Sequence, residues 1–133
     1  MPRSLINDRP FAPPLREDDI QRAVFQHLRT RGAPGIVAFH PKNGGVHQRN
    51  RAQRGRNAGQ GVRTGASDVI VIAPPHGRVY ALELKAGKNT PTDEQDRFMA
   101  DVRKAGGEAA WVGDLDSALL WLEHHGLLRG EVG

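Results

Sequence analysis

The sequence predicts one α/β domain with elements in the order α-β-β-β-α-β-α. Two patterns predict it: amphipathic stretches of helical period alternate with short runs rich in β-branched residues, and Gly, Pro or Asp punctuates almost every junction. Length agrees, because 133 residues is the size of one domain and 38% hydrophobic residues supply one modest core.

Each element has its own warrant. Residues 1–15 hold four of the nine prolines and read as an extended arm. From Glu17 to about Arg31, Ile20, Val24 and Leu28 step by four, which makes an amphipathic helix ended by Gly32 and Pro34. Ile36 to His40 is a short strand candidate. Ser67 to Ala73 and Arg78 to Ala86 read as two strands joined by Pro-Pro-His-Gly, a hairpin. Pro91 suits a helical first turn, and Thr92 with Gln95 has capping-box spacing, so a helix runs from there to about Ala105. Glu108 to Gly113 is a fourth strand, and Leu115 to His125 a last helix capped by Asp114 and ended by Gly126. Trp111 and Trp121 read as core. The folded domain is expected over 16–126, with 127–133 as a tail.

Composition excludes several classes. No run approaches a membrane span of about 20 apolar residues. The first residues lack the apolar stretch of a secretory signal, and there are no cysteines for disulfides, thiolate metal sites or a Cys nucleophile. These features lead us to expect an intracellular, cytoplasmic protein.

The net charge of +4 is unevenly placed. Between residues 40 and 65 stand Lys42, Arg49, Arg51, Arg54, Arg56 and Arg63 with no acid, so the remaining 107 residues carry −2. This segment is rich in Gly, Asn and Gln and has too few apolar residues to pack as a core element. It is either a plain solvated loop or a phosphate-binding one. Guanidinium forks match phosphate oxygens, and nucleic acid uses many of them at once. Within it, Asn43-Gly44-Gly45 is either a simple turn or a place where backbone N–H groups meet a phosphate.

Asp68, Glu83 and Lys85 interrupt the two apolar hairpin strands. Alternation puts Glu83 and Lys85 on one face, away from Leu82 and Leu84. If Pro74–Gly77 form a four-residue loop, Ala73 pairs with Arg78, and counting outward sets Asp68 opposite Glu83. Directly opposed Cβ atoms lie about 5 Å apart. Two carboxylates that close among apolar neighbours repel each other and are costly to bury, a cost that a divalent cation removes. Oxygen donors of this kind favour Mg²⁺ or Mn²⁺. Lys85 could then hold an attacking water or offset charge on a phosphate. The competing reading is a buried ion-pair cluster without chemistry.

These residues resemble the PD-(D/E)XK nuclease signature, and more closely its VRR-NUC (virus-type replication–repair nuclease) branch. The resemblance is carried by Glu17-Asp-Asp-Ile-Gln, Asn43-Gly-Gly, Gly65-Ala-Ser-Asp68, Leu82-Glu-Leu-Lys-Ala and Thr92-Asp-Glu-Gln95, over roughly residues 16–125. Ser67 departs from it, since that family usually has proline before the aspartate. The resemblance implies a restriction-endonuclease-like core, a central mixed sheet flanked by helices. It also implies a metal held by Asp68, Glu83 and the Leu84 backbone carbonyl, with water positioned by Lys85. Glu17 matches the family's helical acid, with Asp18 and Asp19 as rivals and a simple helix-dipole role as the alternative. Gln95 matches the helical glutamine, or is only a capping partner. The implied activity is Mg²⁺- or Mn²⁺-dependent hydrolysis of DNA by a homodimer selective for branched substrates, Holliday junction or flap, in phage or cell. Alternatives are a non-catalytic nucleic-acid-binding module on the same fold and a base-specific restriction enzyme. A His–Asn–His nuclease built on His40, Asn43 and His47 would leave the acidic pair without purpose.

Overall fold

The computed structural model describes residues 15–42 and 59–130. Residues 1–14 of the arm expected over 1–15, and Asn43, His47, Arg49, Arg51, Arg54 and Arg56, lie outside the described residues. Helix α1 spans Glu17–Arg31, strand β1 Val37–Phe39, β2 Val69–Ala73, β3 Arg78–Leu84, helix α2 Asp93–Lys104, β4 Glu108–Val112 and helix α3 Leu115–His124. The order is the expected one. Each strand is one or two residues shorter than the run that predicts it.

The sheet order is β1-β2-β3-β4, antiparallel at the first two junctions and parallel between β3 and β4. Parallel neighbours cannot be joined by a tight turn, so α2 supplies the crossover between them. The β2–β3 hairpin has the expected register, Ala73 with Arg78 through Val69 with Leu82. Its loop is Pro74–Gly77, closed by the Gly77 N–H donating to the Ala73 carbonyl at 2.9 Å.

Alternation divides the core between the two faces. Val69, Val71, Ala73, Leu82 and Leu84 pack with Ile20, Val24 and Leu28 of α1 and Ala118 and Leu122 of α3. Ile70, Ala81 and Ala109 pack with Met99 of α2. Burying each large aliphatic chain contributes about 1.5–3 kcal/mol. Leu127 and Leu128, expected in the tail over 127–133, belong to this core: both are buried, Gly32 bridges to Leu128, and the Arg129 N–H donates to the Arg31 carbonyl. Arg31 also pairs with Glu123 at 2.7 Å, tying α1 to α3.

Trp111 corrects an expectation. It is 43% exposed, because β4 is an edge strand and its outer residues have a neighbouring strand on one side only. Trp121 is half-buried and meets Tyr80 edge-to-face at 6.3 Å. Among the described residues no helix is long and apolar enough to cross a membrane.

Candidate active site

The site forms where the hairpin ladder ends. Val69–Leu82 is its last pair, and one residue further out the two chains part, Asp68 on one and Glu83 on the other. The Asp68 side chain takes over from the ladder: its Oδ2 accepts from the Leu84 N–H at 2.8 Å. Strand β3 meanwhile stays with β4, and the Lys85 N–H donates to the Val112 carbonyl at 2.9 Å.

Glu83 is 2% exposed and faces α2. Its Oε2 accepts from Gln95 Nε2 at 2.9 Å and lies 3.5 Å from the Lys85 ammonium, itself buried. Its Oε1 is buried with no hydrogen-bond partner. Burial and the neighbouring Asp68 carboxyl push Glu83 up to about 8, against partial relief from Lys85. Burial also raises Asp68, opposed by the Leu84 N–H, the Glu83 carboxyl and the charge of His40, while Glu17 adds to the rise.

Gln95 makes two contacts at once, a helix cap and a bond to Glu83. Its backbone N–H donates to Thr92 Oγ1 at 3.2 Å, and its Oε1 accepts from the Thr92 N–H at 2.8 Å, a complete capping box. The remaining amide nitrogen reaches Glu83. Cap and carboxylate contact thus belong to one side chain.

A cleft of about 310 Å³ opens over these groups, lined by Asp18, Gln21, His40, Gly65, Ala66, Asp68 and Gln95. Glu17 is turned to one side, where its Oε2 accepts from Asn89 Nδ2 at 3.1 Å, yet its charge is still felt at Asp68. Asp18, expected to be only a rival, lines the cleft. Asp18 and Gln21 lie one turn apart on the flank of α1 beside its core stripe, and the apolar pattern marks the stripe alone. Asp19 is occupied with Arg22 at 3.2 Å. His40, weighed from the sequence only as part of a His–Asn–His site, also lines the cleft. Its Nδ1 lies 2.8 Å from the Asp68 carbonyl oxygen.

Arg63 is engaged with α2: it pairs with Asp101 at 2.7 Å and stacks over Phe98 at 5.4 Å. Lys42 is exposed. A larger hollow of about 600 Å³ lies at the opposite end of the hairpin, bounded by Pro74, Pro75, Tyr80 and Val102. Arg78 at its edge is already bonded to Glu108 and to the Gly106 carbonyl. Size and chemistry therefore part company, and the reactive groups are at the smaller cleft.

A hard cation fits the donor set. The buried orphan Oε1 of Glu83 and the mutual repulsion of two carboxylates are both relieved by a divalent ion. Among the described residues no three His, Cys, Asp or Glu side chains converge as a complete ligand set. Mg²⁺ does not need one, because it keeps several waters and takes one or two carboxylates plus substrate phosphates.

Comparison with known proteins bears on the fold. No family model and no curated protein matches the chain. A solved structure described as a "VRR_NUC domain protein" is 18% identical, with a TM-score of 0.67, over 85% of this chain and 89% of that one. A second, described as a "VRR_NUC domain", is 22% identical with a TM-score of 0.56, over 82% and 96%. At these identities the likeness is one of fold. The mixed sheet with flanking helices fits the restriction-endonuclease-like core that the sequence led us to expect.

Proposed function

We propose that the chain is a nuclease of the VRR-NUC type that hydrolyses DNA phosphodiester bonds with Mg²⁺ or Mn²⁺. The observation that carries this is the Asp68–Glu83–Lys85 group at the end of the hairpin, with a buried, unpartnered Glu83 oxygen. Asp68 and Glu83 would hold the ion, with Glu17 or Asp18 approaching from α1 and the Leu84 carbonyl as a further donor. When bound, the cation supplies Lewis-acid stabilisation of the negative charge that builds on a phosphate.

The chain's own groups do the rest. Lys85 has its ammonium beside Glu83, where it orients a water for in-line attack and balances charge on the phosphate. Gln95 donates to Glu83 and fixes which oxygen remains available. The basic segment, Lys42 and Asn43 through Arg49, Arg51, Arg54 and Arg56, would meet backbone phosphates, while Arg63 is held against α2 by Asp101. Branched DNA is the preferred substrate in this reading, and two copies would make paired nicks.

The test is a panel of duplex, single-stranded, flap and four-way-junction DNA with Mg²⁺, Mn²⁺ or EDTA. Cleavage with metal, abolished in EDTA and in Asp68→Ala and Lys85→Ala while DNA binding persists, is the expected result. Full activity in either variant would sink the assignment. Binding that is indifferent to Mg²⁺, with no cutting of any substrate, would mark a non-catalytic module.

A further inference from the structure

We infer that His40 is a positioning residue that holds Asp68 in place through its Nδ1–H, an inference that rests on the proposed metal-dependent nuclease. Asp68 lies one step outside the sheet. The β1–β2 ladder ends at Phe39–Ile70 and the β2–β3 ladder at Val69–Leu82, so strand pairing does not fix the Asp68 peptide from either side. Side chains fix it instead. On the β3 side its carboxylate accepts from the Leu84 N–H at 2.8 Å. On the β1 side its carbonyl oxygen lies 2.8 Å from His40 Nδ1.

A carbonyl oxygen only accepts, so the proton of that bond sits on Nδ1, whether the ring is neutral or charged. The two bonds act at opposite ends of one residue: Leu84 holds the carboxylate and His40 holds the main chain from which it projects. With only the first in place, the peptide could rotate and carry the carboxylate away from Glu83. Outer-shell bonds of this kind orient metal-binding groups, and losing one typically costs about 10–100-fold in metal affinity or activity. His40 also lines the cleft, so its contact with Asp68 is part of the site wall.

The variants His40→Asn, His40→Gln and His40→Ala separate this role from others. The asparagine amide nitrogen stands where Nδ1 stood, whereas the glutamine amide reaches the position of Nε2. Mn²⁺ binding would be read by calorimetry on the free full-length protein, alongside cleavage rate, thermal midpoint and DNA affinity in EDTA. The expected result is Mn²⁺ affinity and cleavage about 10–100-fold weaker in His40→Ala and His40→Gln. His40→Asn should stay close to wild type, and DNA affinity in EDTA should be unchanged in all three. Wild-type Mn²⁺ affinity in His40→Ala, or equal losses in His40→Asn and His40→Gln, would overturn the inference. If His40→Ala fails to fold, the Asn–Gln comparison decides alone. A wild type that binds Mn²⁺ yet cuts no DNA defeats the nuclease reading, while the Mn²⁺ affinities still judge His40. A wild type that binds no Mn²⁺ defeats both.

Discussion

A carboxylate that is buried, crowded by a second acid and left with one bare oxygen keeps its proton longer than it would in water, and Glu83 does so up to about pH 8. The linkage has a definite sign. Between its ordinary value of 4.5 and about 8, the folded chain retains a proton that the unfolded chain has released, so rising pH favours unfolding. The contribution is complete below about pH 4.5 and is lost as pH climbs to about 8; Asp68, also raised, acts in the same direction. In EDTA the thermal midpoint should therefore fall between pH 5 and pH 8. Asp68→Asn removes the neighbouring charge and should flatten that slope. Parallel slopes in the two proteins would show that the pair does not govern it.

At the scale of elements, the loop before β2 is seated directly on the first turn of α2. Gly65 has φ +82°, and a Cβ there would stand 2.5 Å from the Glu94 carbonyl group and 2.8 Å from the Gln95 nitrogen. Gly61 has the same handedness, φ +87°, in open space. Gly61→Ala should cost only the left-handed penalty of about 1–2 kcal/mol. Gly65→Ala adds a collision with backbone and should displace Gln95 from Glu83, lowering both thermal midpoint and cleavage rate. Matching losses in the two variants would mean that this packing is immaterial. Some of the arrangement could be read in advance. Hairpin register follows from a four-residue loop and side-chain alternation, and the Thr92–Gln95 cap lies within one turn. The bonds from His40 to Asp68 and from Asn89 to Glu17 join residues 28 and 72 positions apart. No periodicity encodes them, because they exist only once separate elements have closed on one another.

Across the whole molecule, fold and charge separated differently. Element order was legible because each helix carries its own apolar stripe and stop signals. Trp111 was not, since its hydrophobicity is the same in a core as on an edge strand. The +4 of the chain is the sum of a basic segment and an acidic remainder. Arg63 shows that not every base in that segment serves the same end: its guanidinium is bound to Asp101 and Phe98. Replacing Arg49, Arg51, Arg54 and Arg56 together by Gln should weaken DNA binding and lower the salt slope by up to about 4, at ~0.9 per phosphate contact. Arg63→Gln should leave that slope nearly intact and cost less than about 1 kcal/mol of stability, as an exposed pair does. An unchanged slope in the fourfold variant, followed by titrating salt in a binding assay, would remove the segment from the DNA interface.

Gln95 has a consequence for motion. One side chain closes the start of α2 and also steadies Glu83, so the two contacts open and close together. Helix ends fray more readily than sheet cores unfold. Glu83 is buried on the sheet, but its amide donor belongs to a helix end, the kind of segment that opens first. The fraction of time the group stands fully assembled is then bounded by the breathing of a single helical turn, whatever the stability of the sheet beneath it.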